Sequence, residues 1–239
     1  MTDESHPFQG NRDPVVVFIH GQPGTASDFD EVAERLPVTM KILSYDRPGW
    51  GESHGGATDV IGNVNYLAEL LLSKSIERVV LVGYSYGTTV ALRAAVDFPE
   101  RIAGLVLVSP VGSVESISVV DRVLAFTAGC IQHVPIIHRL IGQNKDRIRL
   151  IESFYSEQVC LSDDLQQLSS QISSIALPVD LVVGMDDFFN PLRGTMHLLD
   201  SLPNARLTLL KGAGHLLLNQ SPEMVAGSVF GMWSDCSER

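Results

Sequence analysis

Cysteine is scarce in this chain, and the few present form no pattern. Cys130, Cys160 and Cys236 are odd in number and share no metal-ligand spacing. That argues against a disulfide framework and for a reducing compartment. The first two read as small buried side chains and the third as a loose tail thiol. Basic residues are outnumbered, 17 Lys and Arg against 28 Asp and Glu, for a formal charge of −11. Nucleic acid is therefore not an expected partner, because its phosphates need a basic surface. The acidic surplus reads as a solubility feature that mildly disfavours polyanionic substrates. No apolar run reaches transmembrane length, and residues 1–7 lack the basic-then-apolar order of a secretory signal. The expectation is a cytoplasmic protein with no stable membrane insertion; the sequence is silent on oligomeric state.

What the chain does have is alternation. Apolar runs at 15–20, 41–45, before Gly83, and at 102–108, 179–183 and 206–210 read as strands. Between them lie helical patterns at 28–36, 60–73, 86–97, 192–202 and 222–232. Near-continuous apolar strands alternating with helices imply an α/β fold, a mostly parallel doubly wound sheet with helices on both faces. At 239 residues, one such unit with an insertion fits the length. In a parallel sheet the loops that follow the strands gather at one edge.

Those loops carry the chemistry. The segment Gly83-Tyr84-Ser85-Tyr86-Gly87 follows an apolar run and opens a helical stretch. In that context G-x-S-x-G describes a strained turn that lifts a serine hydroxyl clear of the sheet. A nucleophilic serine needs a base, an orienting acid and donors for an oxyanion. Asp186 and Asp187 follow the 179–183 strand, and His215 follows the 206–210 strand in a glycine-rich turn, a poor place for a packed core histidine. The order Ser, Asp, His suits a strand-turn-helix hydrolase; the residues alone leave Asp186 and Asp187 as competing acids. His6, His54, His133, His138 and His197 stand in polar loops, the insertion or a surface helix. None pairs with an acidic cluster at ligand spacing, so no metal site is expected.

Further segments strengthen the pattern. His20-Gly21-Gln22-Pro23-Gly24 resembles the H-G-x-P-G oxyanion loop of the α/β-hydrolase superfamily. Asp46-Arg47-Pro48-Gly49-Trp50-Gly51-Glu52-Ser53 resembles its D-x-x-G-x-G-x-S loop, and Phe98-Pro99-Glu100-Arg101-Ile102 through Ser109-Pro110 the strand after the nucleophile helix. Gly184-Met185-Asp186-Asp187 with Pro191 resembles the acid turn, and Gly214-His215 with Pro222-Glu223 the histidine turn. The resemblance runs from about Val15 to Trp233 and is to the small, capped serine hydrolases of that superfamily. It implies a cofactor-free enzyme with Ser85 as nucleophile, Asp187 as acid and His215 as base. The backbone N–H groups of Tyr86 and Gln22 become the oxyanion donors, since Pro23 has no N–H to give. His20 becomes a brace for the loop, Asp46 and Arg47 become turn and ion-pair residues, and Trp50 a candidate for the pocket wall. Relatives that cleave haloalkanes or epoxides carry aspartate at the elbow, where this chain has Ser85. The family core usually begins with an antiparallel hairpin. Too few residues precede Val15 for a full one, so residues 1–13 read as a loose arm beside a truncated sheet edge.

The division expected is a core of 1–110 and 177–239 and a helical cap of 111–176. Helical spacing at 119–131, 134–141, 147–155 and 161–175 supplies the cap. Apolar side chains left over there would face the serine, so the substrate is expected to be a small molecule with a largely apolar acyl or aryl group. Ester cleavage is the first expectation. Carbon–carbon bond, amide or thioester cleavage uses the same triad, and a ligand receptor with little turnover is the alternative of another class.

Overall fold

In the computed structural model, which describes residues 13–133 and 145–238, the apolar runs form one six-stranded sheet. β1 (Val15–Ile19) leads through a 3-10 turn (Ala26–Phe29) and a single helical turn, α1 (Asp30–Ala33), to β2 (Ile42–Tyr45). Then come α2 (Val60–Ser73), β3 (Val79–Tyr84), α3 (Tyr86–Asp97) and β4 (Ile102–Val108). The insertion supplies α4 (Val119–His133) and α5 (Lys145–Ser169). The chain resumes with β5 (Val179–Gly184), α6 (Leu192–Ser201), β6 (Ala205–Leu210), α7 (Leu217–Gln220) and α8 (Pro222–Ser237). The strand order is β2-β1-β3-β4-β5-β6, and every pairing is parallel.

Side-chain alternation explains the layering. Val15, Val17 and Ile19 of β1 and Val79 and Leu81 of β3 turn to one face, against Leu67 and Leu71 of α2 and Leu92 of α3. Val16, Phe18, Val80 and Val82 turn to the other, against Val32 of α1 and Val225, Val229 and Met232 of α8. β1, β3 and β5 are buried along their whole length, while β6 has only half-buried and exposed positions, as an edge strand does. Each fully buried aliphatic side chain contributes about 1.5–3 kcal/mol. The chain leaves β1 toward β2 on one side and returns to β3 on the other, which opens a crevice at the carboxyl ends of β1 and β3.

Five expectations need correction or a boundary. The patterns at 147–155 and 161–175 are one 25-residue helix, α5, ending at Ser169, with a separate 3-10 turn at Ile172–Ser174. No Gly or Pro interrupts 156–160. The apolar period lapses there because the inward position is Glu157, fully buried and paired with Arg47. Cys236 is not a tail thiol: α8 runs to Ser237, and the side chain is fully buried, donating to the Ala103 carbonyl at 3.3 Å. Cys130 is the exposed cysteine, on the outer side of α4. The 134–141 segment and residues 1–12 lie outside the described residues, and the sheet edge on that side is formed by β2.

Candidate active site

Ser85 sits between the last residue of β3 and the first of α3, with φ 51° and ψ −121°. Non-glycine residues avoid that region, and it persists only where the surroundings impose it. Here the glycines do so. A Cβ on Gly87 would lie 2.1 Å from the Ile19 carbonyl oxygen, and one on Gly83 would lie 2.6 Å from the Gly87 carbonyl oxygen. Helix and strand approach more closely than any side chain permits, and the connecting residue is pushed outward. The Ser85 N–H donates to the Val108 carbonyl at 2.9 Å, which ties the turn to β4.

Facing this turn, His215 Nε2 lies 3.1 Å from Ser85 Oγ, and its Nδ1 lies 2.9 Å from Asp187 Oδ2. The other carboxylate oxygen of Asp187 accepts from the N–H groups of Phe189 at 2.9 Å and Asn190 at 2.8 Å. Asp187 is 2% exposed at its side chain and His215 13%, so the carboxylate is sealed while the imidazole reaches the cavity. An acceptor on Nδ1 holds the proton there and leaves Nε2 as the acceptor for the serine hydroxyl. The turn carrying His215 is itself held, because its carbonyl accepts from Ser109 Oγ at 2.9 Å and from the Tyr84 hydroxyl at 3.2 Å. Burial first, then the nearby Asp187 charge, pushes the Tyr84 hydroxyl above its usual range and keeps it a donor. Asp186 is exposed; its backbone N–H bonds to Ala213 and its carboxylate is turned to solvent. The structure thus brings Ser85, Asp187 and His215 together and leaves Asp186 out.

The remaining residues singled out from sequence lie on the loops after β1 and β2 and at the start of α3. A Cβ on Gly21 would lie 3.0 Å from Ser85 Cβ, so the loop after β1 runs against the elbow. The Tyr86 N–H is among the first of α3, the groups a helix leaves without an internal partner. His20 donates from Nδ1 to the Gly21 carbonyl at 2.8 Å and accepts at Nε2 from the Arg47 N–H at 3.0 Å. Burial, then the Arg47 charge, holds its pKa well below the usual histidine value, so it stays neutral and braces the loop. Asp46 accepts from the N–H groups of Ala26 at 2.7 Å and Glu52 at 2.8 Å. Trp50 does not reach the Ser85 cavity. Its indole N–H donates to Glu157 Oε1 at 3.0 Å, and its ring borders a neighbouring groove beside Arg149.

A cavity of about 260 Å³ opens over Ser85 and His215. Gln22 and Tyr86 line it from the core, as do Ile117, Leu124, Phe154 and Leu161 from the insertion. Among the described residues no Lys, Arg, Asp or Glu lines it. Phe154 and Gln158 of α5, and Phe189 and Asn190 beside the acid turn, also border it and were not singled out from sequence. The sequence carried no signal for the first two, because the buried face beside them holds Ser153 and Glu157 rather than apolar residues. In the structure positions 153, 157, 161 and 165 continue one buried helical face through the break in the apolar pattern. Among the described residues no three His, Cys, Asp or Glu side chains gather as metal ligands would.

The family model for the alpha/beta hydrolase family matches residues 16–228. The chain is an α/β hydrolase. This hydrolase is 25% identical over 238 residues to pimeloyl-[acyl-carrier protein] methyl ester esterase of Nitrosomonas europaea, covering 88% of this chain and 92% of that one. It is 26% identical over 234 residues to a 2-hydroxy-6-oxononadienedioate/2-hydroxy-6-oxononatrienedioate hydrolase of Cupriavidus pinatubonensis, covering 84% of this chain and 80% of the relative. Among solved structures it superimposes on a thermophilic esterase from Thermogutta terrifontis with a TM-score of 0.77 at 18% identity, covering 95% of this chain and 92% of that one.

Proposed function

We propose that this hydrolase cleaves a carboxylic ester of a small, largely apolar substrate through an acyl-enzyme on Ser85. One observation carries the reading: a continuous hydrogen-bonded chain from Asp187 through His215 to Ser85 ends in a cavity that no Lys, Arg, Asp or Glu lines among the described residues. In the proposed cycle His215 Nε2 takes the Ser85 proton as Oγ attacks the ester carbonyl. The N–H groups of Tyr86 and Gln22 bind the resulting oxyanion, preorganised donors that stabilise charge only as it develops. His215 then returns the proton to the leaving alkoxide, which departs as alcohol. A water molecule, deprotonated by the same nitrogen, attacks the acyl-enzyme and releases the acid.

The insertion serves in this reading as the cap, with 111–176 over a core of 1–110 and 177–239. Ile117, Leu124, Phe154 and Leu161 suit an acyl chain, and the lack of a lining Lys or Arg among the described residues favours a neutral substrate over a dicarboxylate. Free cysteines fit a cytoplasmic setting. No helix among the described residues is long and apolar enough to cross a membrane. The test is hydrolysis of p-nitrophenyl acyl esters of graded chain length beside Ser85→Ala. Nitrophenol release that vanishes in the variant, with an optimum at short to medium chains, is the expected result. Wild-type turnover no higher than the variant's on every ester would overturn ester hydrolysis and leave a different scissile bond or a binding role.

A further inference from the structure

Behind the candidate oxyanion site lies a charge that the proposed cycle does not use. Arg47 and Glu157 are both fully buried, one on the loop after β2 and the other in the middle of α5. All five guanidinium hydrogens have an acceptor. Nε donates to the His20 carbonyl at 3.0 Å, and Nη2 to the Gly21 carbonyl at 2.9 Å and to Glu157 Oε2 at 3.3 Å. Nη1 donates to Asn63 Oδ1 at 3.2 Å and to Glu157 Oε1. The guanidinium carbon also stands 4.7 Å from the centre of the Tyr86 ring.

The Gly21 carbonyl and the Gln22 N–H belong to one planar peptide unit. A cation bonded to the oxygen fixes the rotation of that plane and draws electrons from its nitrogen, which sharpens the N–H as a donor. The same guanidinium touches Tyr86, whose backbone offers the second donor. Apolar residues of similar volume would give comparable or better stability than a buried ion pair, so stability alone gives no reason for charge here.

We propose that Arg47 is a positioning residue for the oxyanion site. It orients the Gly21–Gln22 peptide, and Glu157 makes that orientation depend on the seating of α5, whose Phe154, Gln158 and Leu161 face the substrate cavity. The inference rests on the serine-hydrolase reading and adds a link from the insertion to the reacting centre. Paired, the two charges sum to zero, so the action is orientation at short range rather than a long-range field.

The test compares wild type, Glu157→Gln and the double variant Arg47→Met/Glu157→Leu on p-nitrophenyl butyrate. Binding is measured for an alkyl trifluoromethyl ketone, which adds to Ser85 Oγ as an oxyanion, and for the corresponding alcohol, which cannot. Against the cost of losing one whole oxyanion donor, the expected fall in kcat is about 10-fold for Glu157→Gln and about 100-fold for the apolar pair. Ketone affinity should fall by the same factors, while KM and alcohol affinity stay within about threefold. A folded apolar-pair variant with wild-type kcat, or ketone and alcohol affinities that fall together, would overturn the inference. Should the apolar pair not fold, Glu157→Gln decides: unchanged kcat and ketone affinity overturn the inference. Absence of Ser85-dependent turnover and of any ketone adduct in wild type would sink the serine-hydrolase reading itself, and this inference with it.

Discussion

Two clusters of ionisable side chains meet at the carboxyl edge of the sheet, and they are built differently. The Asp187–His215–Ser85 chain is sealed at one end and open at the other: the carboxylate is filled, the imidazole mostly buried but in reach of the cavity, and the serine hydroxyl faces the cavity. The Arg47–Glu157 cluster is closed all round, each guanidinium hydrogen matched by an acceptor and both side chains without solvent. Burial pushes the Glu157 carboxyl up, and the Arg47 charge with bonds from Arg47 and Trp50 pulls it back toward ionisation. A group left with spare hydrogen-bonding capacity can act on a ligand, whereas a saturated one can only hold its neighbours. Proximity to the serine does not separate these roles; saturation does.

The largest effect should follow from removing the open end. Ser85→Ala should lower ester kcat by about 10⁴-fold or more while the melting temperature stays near wild type; steady-state kinetics and a thermal scan check both. Next comes the sealed end. Asp187→Asn should cost about 10³- to 10⁴-fold in kcat by releasing the tautomer of His215, while Asp186→Asn, one residue away, should stay within about twofold. Equal losses at the two aspartates would break the distinction between sealed and solvent-facing carboxylates. A third change attacks the turn beneath both clusters. Gly87→Ala puts a Cβ 2.1 Å from a backbone oxygen, and we expect about 2–4 kcal/mol of lost stability in denaturant titration.

Smaller effects sharpen the contrast. His20 is neutral and buried, with its pKa held below the usual value. As pH falls through the ordinary histidine value near 6.5, the unfolded chain gains a proton that the folded chain refuses. The stability due to neutral His20 is therefore whole above that pH and declines below it, by at most about 1.4 kcal/mol per pH unit. Melting temperatures at pH 7.5 and 5.5 should diverge more for wild type than for His20→Gln, these pH values being about one unit either side of the histidine value. Smallest of all is the exposed pair. Arg206 bonds Asp180 at 2.8 Å and Asp235 at 3.3 Å, but its side chain is 61% exposed, and Arg206→Ala should change stability by no more than about 0.5 kcal/mol.

The sheet was legible because its strands bury both faces and so read as unbroken apolar runs, β1 as Val-Val-Val-Phe-Ile. The meeting of Ser85, Asp187 and His215 was legible because each follows such a run in a turn with little reason to hold a packed residue. His20 as a brace was legible too, since it precedes the glycine that lies against Ser85. Glu157 was not. A buried acid interrupts the hydrophobic period that marks a helix, so α5 read as two helices with a polar gap. Its partner Arg47 is 110 residues away, and nothing local in either segment announces the pair. Trp50 misled for the same reason: an aromatic in a glycine-rich loop reads as pocket wall until the acceptor of its N–H is known. Cys236 was misread because a helix end cannot be placed to within a turn from composition alone.

The most direct test of the central claim is intact-protein mass spectrometry of a rapidly quenched reaction with p-nitrophenyl butyrate, followed by peptide mapping. The expected result is a transient adduct of one butyryl group on the peptide carrying Ser85, longer-lived in Asp187→Asn and absent in Ser85→Ala. Nitrophenol release in wild type with no adduct at Ser85, or an adduct on another residue, would contradict a serine nucleophile at this elbow.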